Sequence, residues 1–97
     1  MKAEKRRRKW GEGWSLDKVL ERAGKEAGLP GKDLVGRGKG RSLSRGQALA
    51  CYWLVRGLGH RTVDVANWLG IGQPAVSHCV VKGKVLAESE GLKLEKT

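Results

Sequence analysis

Apolar residues recur along this chain at helical spacing, in three stretches separated by glycine. The first stripe is Leu16, Val19, Leu20, Ala23 and Ala27. Spaced three and four apart, these fall on one face of a helix. Ser15 stands before them as an N-cap with Asp17 in the first turn, and Gly28 follows as a stop. Leu29-Pro30-Gly31 reads as a turn, and Asp33-Leu34-Val35 as one further helical turn. The second stretch begins after Ser44, a candidate cap, and runs to Leu58 with Gly59 as its end. Its centre, ALACYWLV, is apolar on nearly every side, which predicts the buried central helix of the core. Tyr52 and Trp53 are adjacent and must point apart, one toward the N-terminal helix and the other toward the C-terminal pair.

The third stretch is two helices in succession. Thr62–Leu69 forms a short helix with Thr62 as its cap, Gly70-Ile71-Gly72 a tight turn, and Gln73 or Gly72 the cap of a second helix. Pro74 stands in the first turn of that helix, where a missing N–H costs nothing. Two helices joined by a short glycine turn make a helix-turn-helix. The expected fold is therefore all-α, four to five helices over residues 15–90. The predicted core holds Leu20, Leu49, Val55, Leu58, Val65, Ala66, Leu69, Ile71 and Val76. Residues 91–97 are read as a tail, and residues 1–14 as a tail or the end of something longer.

Charge sharpens this picture. The 97 residues carry a formal net charge of +10, and the excess is local. It sits in the run Lys5–Lys9 and in residues 34–84, where eight basic residues face only Asp64. A one-signed surface on a folded segment attracts polyanions, nucleic acid foremost. In the stretch GRGKGRSLSR, residues 36–45, glycines leave the backbone uncrowded among four basic side chains. That composition fits a loop lying along phosphates. No segment is long and apolar enough to span a bilayer, and no apolar stretch follows the basic start as in a signal peptide. Cys51 and Cys79 lie in apolar patterns and read as reduced, buried thiols.

The helix-turn-helix template asks for apolar residues at positions 4, 8, 10, 15 and 18, a small residue at 5 and Gly at 9. Counted from Thr62 these are Val65, Leu69, Ile71, Val76, Cys79, Ala66 and Gly70, and all seven fit. From about Leu34 to Glu88 the chain resembles the C-terminal DNA-binding domain of the bacterial replication initiator DnaA, a Trp-repressor-like helix-turn-helix. The resemblance rests on GRGKGRSLSR, ALACYWLVRGLG and VDVANWLGIGQPAVSHCVVKGK. The turn is shorter than in DnaA and lacks its charged segment, so the target site of DnaA is not carried over. Cys51-Tyr52-Trp53, Leu69-Gly70 and Gln73-Pro74-Ala75-Val76-Ser77 look closer still to the DnaA-like tail of REP-associated tyrosine transposases.

If Val76, Cys79 and Val80 face the core, then Pro74, Ser77, His78, Val81 and Lys82 face outward. The expected base contacts are Gln73, Pro74, Ser77, His78 and Val81, with Gln73 suited to adenine and Val81 to a thymine methyl. The expected phosphate contacts are Arg37, Lys39, Arg41, Arg45, Thr62 and Lys82. The expected partner is double-stranded DNA, with no membrane, no small-molecule substrate and no cofactor; the expected place is the cytoplasm, on the nucleoid. Catalysis is not expected, because the one Tyr lies in an apolar helix and His60 and His78 stand apart. A zinc site from Cys51, His60, His78 and Cys79 is disfavoured, since His78 and Cys79 are neighbours on different helix faces. The competing reading is a basic helical module that binds RNA or an acidic protein.

Overall fold

The computed structural model describes residues 15–36 and 40–92. Among these there is no strand, and the domain is all-α. Four α-helices follow in order: α1 (Leu16–Ala27), α2 (Arg41–Tyr52), α3 (Thr62–Leu69) and α4 (Gln73–Glu90). A 3-10 turn, Gly31–Leu34, links the first two, and a π-helical turn, Trp53–Gly57, extends α2.

Helix α1 is bounded as its sequence predicts. The Ser15 hydroxyl accepts a hydrogen bond from the Lys18 amide at 3.3 Å, and Gly28 closes the helix in the left-handed region. Val19, Leu20 and Ala23 are buried, while Leu16 and Ala27 flank them half-buried. Arg22 covers Trp53, its guanidinium carbon 5.2 Å from the ring centroid, and pairs with Glu26 on the next turn. Trp53 thus lies against α1. Tyr52 points the other way, onto α4.

The central helix begins one turn earlier than the Ser44 cap requires. Arg41 is its first residue and Gly40, at φ +119°, its cap. Leu43 packs on the core and Gln47 reaches back to the preceding turn, so burial favours helix upstream of Ser44. Arg41 and Arg45 consequently stand on a helix, not in a loop. In the core of α2, Ala48, Leu49, Ala50 and Cys51 are all inaccessible to solvent, as the all-round apolar pattern predicts.

Helices α2 and α4 run antiparallel in close contact. Gly83 makes this possible: a Cβ there would lie 2.1 Å from the Ala48 carbonyl oxygen and 2.6 Å from Tyr52 Cβ. At the far end Arg45 ties three helices together. Its Nη1 donates to Glu90 Oε2 at 2.6 Å, its Nη2 pairs with the other carboxylate oxygen, and its Nε donates to the Glu26 carbonyl at 3.3 Å.

Of the predicted core, Leu20, Leu49, Val65, Ala66, Leu69 and Val76 are buried. Val55, Leu58 and Ile71 are half-buried on its rim, where the π turn and the α3–α4 turn leave the bundle. Leu34, Leu54 and Ala87 complete the interior.

Candidate nucleic-acid interface

Helices α3 and α4 are joined by the three residues Gly70, Ile71 and Gly72. Gly70 adopts φ +70°, a conformation that an L side chain resists, and its N–H bonds back to the Ala66 carbonyl. Ile71 donates to the same carbonyl at 3.1 Å. The chain then reverses onto α4, whose first helical bond runs from the Val76 amide to the Gly72 carbonyl at 3.1 Å. Pro74 occupies the second position of α4, within the first turn. Val65, Ala66, Leu69 and Val76 close the angle between the helices, with Ile71 and Cys79 at its edges.

This packing leaves one face of α4 outward. Gln73, Pro74, Ser77 and His78 are exposed, and Val81 is 65% exposed. All five expected base-contacting residues therefore share the open surface of the first turns of α4. Val85 continues the stripe at 60% exposure.

The expected phosphate contacts divide. Arg37 and Lys39 lie outside the described residues. Arg41 is exposed at the start of α2. Lys82 is half-buried, not part of the exposed stripe: its Nζ donates to the Ser44 hydroxyl, because the close α2–α4 approach draws that flank of α4 inward. Together Arg41, Ser44, Arg45, Lys82 and Leu86 line an open groove of about 600 Å³ beginning at Gly40. Arg45 faces this groove with its guanidinium held by Glu90, so it serves first as a clamp of the fold. Thr62 is half-buried and is the first residue of α3 rather than its cap. Arg61 takes the cap position, its Nε 3.4 Å from Asp64, while His60 is buried edge-on against Trp68 with centroids 5.1 Å apart.

Two placements carried no advance signal in the sequence. Gln47 Nε2 donates to the carbonyls of Leu34 and Gly36, both at 2.8 Å. The Gly36 amide donates to the Leu69 carbonyl at 2.6 Å. These bonds seat the start of the glycine-rich stretch against the end of α3, beside the α3–α4 turn. A glutamine inside an apolar helix and a glycine at a segment's edge have too many other uses for spacing to single them out.

Cys51 and Cys79 face one another from α2 and α4, while His60 packs on Trp68 and His78 lies on the exposed face. Among the described residues no three potential metal ligands stand together, and no helix is long and apolar enough to cross a membrane.

The Arg45 guanidinium holds the Glu90 carboxyl below its ordinary range. A carboxylate whose folded pKa is depressed stabilises the fold above its unfolded value and ceases to do so as pH falls through the folded one. The melting-temperature gap between wild type and Glu90→Gln is accordingly expected to be open at pH 7 and to close below about pH 4. A gap unchanged by acid in thermal melts across that range would show that the pair does not stabilise the fold.

No family model, no curated protein and no solved structure matches this chain. What the fold defines is a small all-α domain with an open face on the first turns of its last helix.

Proposed function

We propose that this chain is a sequence-specific duplex-DNA-binding module that enters the major groove with the first turns of α4. The α3–turn–α4 unit then acts as a helix-turn-helix, with α4 as the recognition helix. One observation carries this reading. Six of the seven template positions line the angle between the two helices or its edges, the seventh is the left-handed Gly70 that joins them, and Gln73, Pro74, Ser77, His78 and Val81 are left open together. The first turns of a recognition helix are the part that reaches base edges. Pro74 and Gly72 present little bulk at the helix end, which favours close entry.

Charge supports the same surface. Arg41 and Lys82 line a groove beside the recognition helix, and a phosphate backbone meets such cations at its edge. Arg45 is assigned to the fold rather than to DNA, because Glu90 already neutralises it. The resemblance to transposase-associated DnaA-like tails points to a role in directing a DNA-processing partner to its site, with residence on the nucleoid. Catalysis would then belong to that partner.

The direct test is a binding-site selection on random duplex DNA. An enriched motif is expected. Selection yielding no motif, alongside tight binding of single-stranded RNA or an acidic protein, would replace this reading with that of a basic interaction module.

Salt dependence tests the electrostatic half. With about 4–6 phosphate contacts, log K against log[salt] is expected to slope near −4 to −5. Arg41→Ala and Lys82→Ala are each expected to flatten that slope by about 1 and to weaken all sequences alike. Titrations at several salt concentrations measure both; an affinity indifferent to salt would remove the phosphate contacts from the account.

A further inference from the structure

Cys51 and Cys79 have no part in the proposed DNA contacts, yet the fold sets them opposite each other. The register of the antiparallel pair α2–α4 shows why. Lys82 meets Ser44, Gly83 meets Ala48 and Tyr52, and one turn before Gly83 stands Cys79, level with Cys51. Because Gly83 lacks a side chain, the two backbones approach closely one turn away from the opposed cysteines, and a disulfide between two helices needs such a close approach. Cys51 is fully buried on α2, whereas Cys79 is only half-buried on α4.

We propose that Cys79 is a peroxide-reactive thiol and Cys51 its resolving partner, forming a reversible disulfide between α2 and α4. The chemistry balances with a hydroperoxide as oxidant. The Cys79 thiolate attacks the near oxygen of hydrogen peroxide; the O–O bond breaks, and with one proton the leaving hydroxide becomes water. Cys79 is then a sulfenic acid. Cys51 sulfur attacks it, the S–OH bond breaks, and the Cys51 proton leaves with the hydroxide as a second water. Two thiols have lost two electrons and two protons, and one peroxide has become two waters. A thiol reductant reverses the bond by exchange.

The two sulfurs are differently prepared for these roles. The Cys51 thiol donates a hydrogen bond to Cys79, and with nearby Lys82 this brings Cys79 down to about 7. The same hydrogen bond, then burial, hold the proton on Cys51 and push its pKa up. The downward shift favours the thiolate, the form that reacts, on Cys79, and the upward shift keeps Cys51 as the protonated neighbour.

The test uses the full chain and no DNA, so its outcome is independent of the function proposed above. The reduced protein is treated with hydrogen peroxide, alkylated and digested without reductant. The expected product is one intramolecular cross-link between the Cys51 and Cys79 peptides, lost on adding dithiothreitol. Short iodoacetamide labelling at pH 7 is expected to modify Cys79 at least about tenfold faster than Cys51. In Cys51→Ala, checked by circular dichroism, peroxide should leave Cys79 as a sulfenic acid that dimedone captures; the wild-type arms decide the matter if that variant does not fold. Two free thiols after peroxide, cross-links only between molecules, or faster labelling of Cys51 would each overturn the proposal.

Discussion

Gly83→Ala is expected to destabilise the domain by about 2 kcal/mol, a fall in melting temperature of about 10 °C for a domain of this size. The direction is the informative part. In an exposed helix interior, Gly to Ala gains up to about 1 kcal/mol through helix propensity. Here the added Cβ would meet the Ala48 carbonyl oxygen at 2.1 Å and Tyr52 Cβ at 2.6 Å. Neither atom is the free end of a flexible side chain. The helices must move apart, and overpacking of this kind costs about 3 kcal/mol, which outweighs the propensity gain. Lys84→Ala, on the exposed side of the same helix, is the control and is expected to change stability by less than about 0.5 kcal/mol. Urea unfolding of the two variants measures the difference. A Gly83→Ala variant as stable as wild type would mean that α2 and α4 are not in backbone contact there. That result would also place the opposed cysteines farther apart than the redox chemistry requires.

Gln73→Ala is expected to cost about 1–3 kcal/mol, a loss of roughly 5-fold to 150-fold, on the preferred duplex site, and almost nothing on scrambled DNA of equal length. Gln73 is exposed at the first position of α4, and its side chain makes no contribution to the core. It can offer an amide donor and an acceptor together, the pair that adenine matches in the major groove. Ser77, one turn on and also exposed, is expected to behave in the same way. Because both substitutions leave the interior untouched, thermal melts should coincide with wild type. Equal losses on both DNAs, or none on either, would remove α4 from sequence readout and leave the cationic groove to bind alone.

The contrast between these two positions bears on what could be read in advance. Gln73 announces itself: an exposed amide at a capped helix start, beside a proline, in register with a template. Gly83 does not. It sits in a polar-looking stretch, Lys82-Gly83-Lys84, where glycine would ordinarily be counted a weakness of the helix. Only its position opposite Ala48 makes it necessary. Arg45 shows the same limit from the other side. By composition it belongs with the basic residues of the loop. In the structure Glu90, forty-five residues away, holds it. Local pattern carries no information about a partner that distant.

Periodicity, caps and glycine punctuation by themselves determined the all-α class, the bounds of α1, the buried nature of α2, the α3–α4 turn and the outward face of α4. Each of these depends on which residues lie within a turn of one another, and helical geometry makes that a property of sequence spacing. Tertiary contact alone decided where α2 begins, which cations remain available at the surface, how closely α2 and α4 approach, and that two cysteines 28 positions apart stand face to face. These depend on burial and on charge compensation between segments that meet only when the chain has folded.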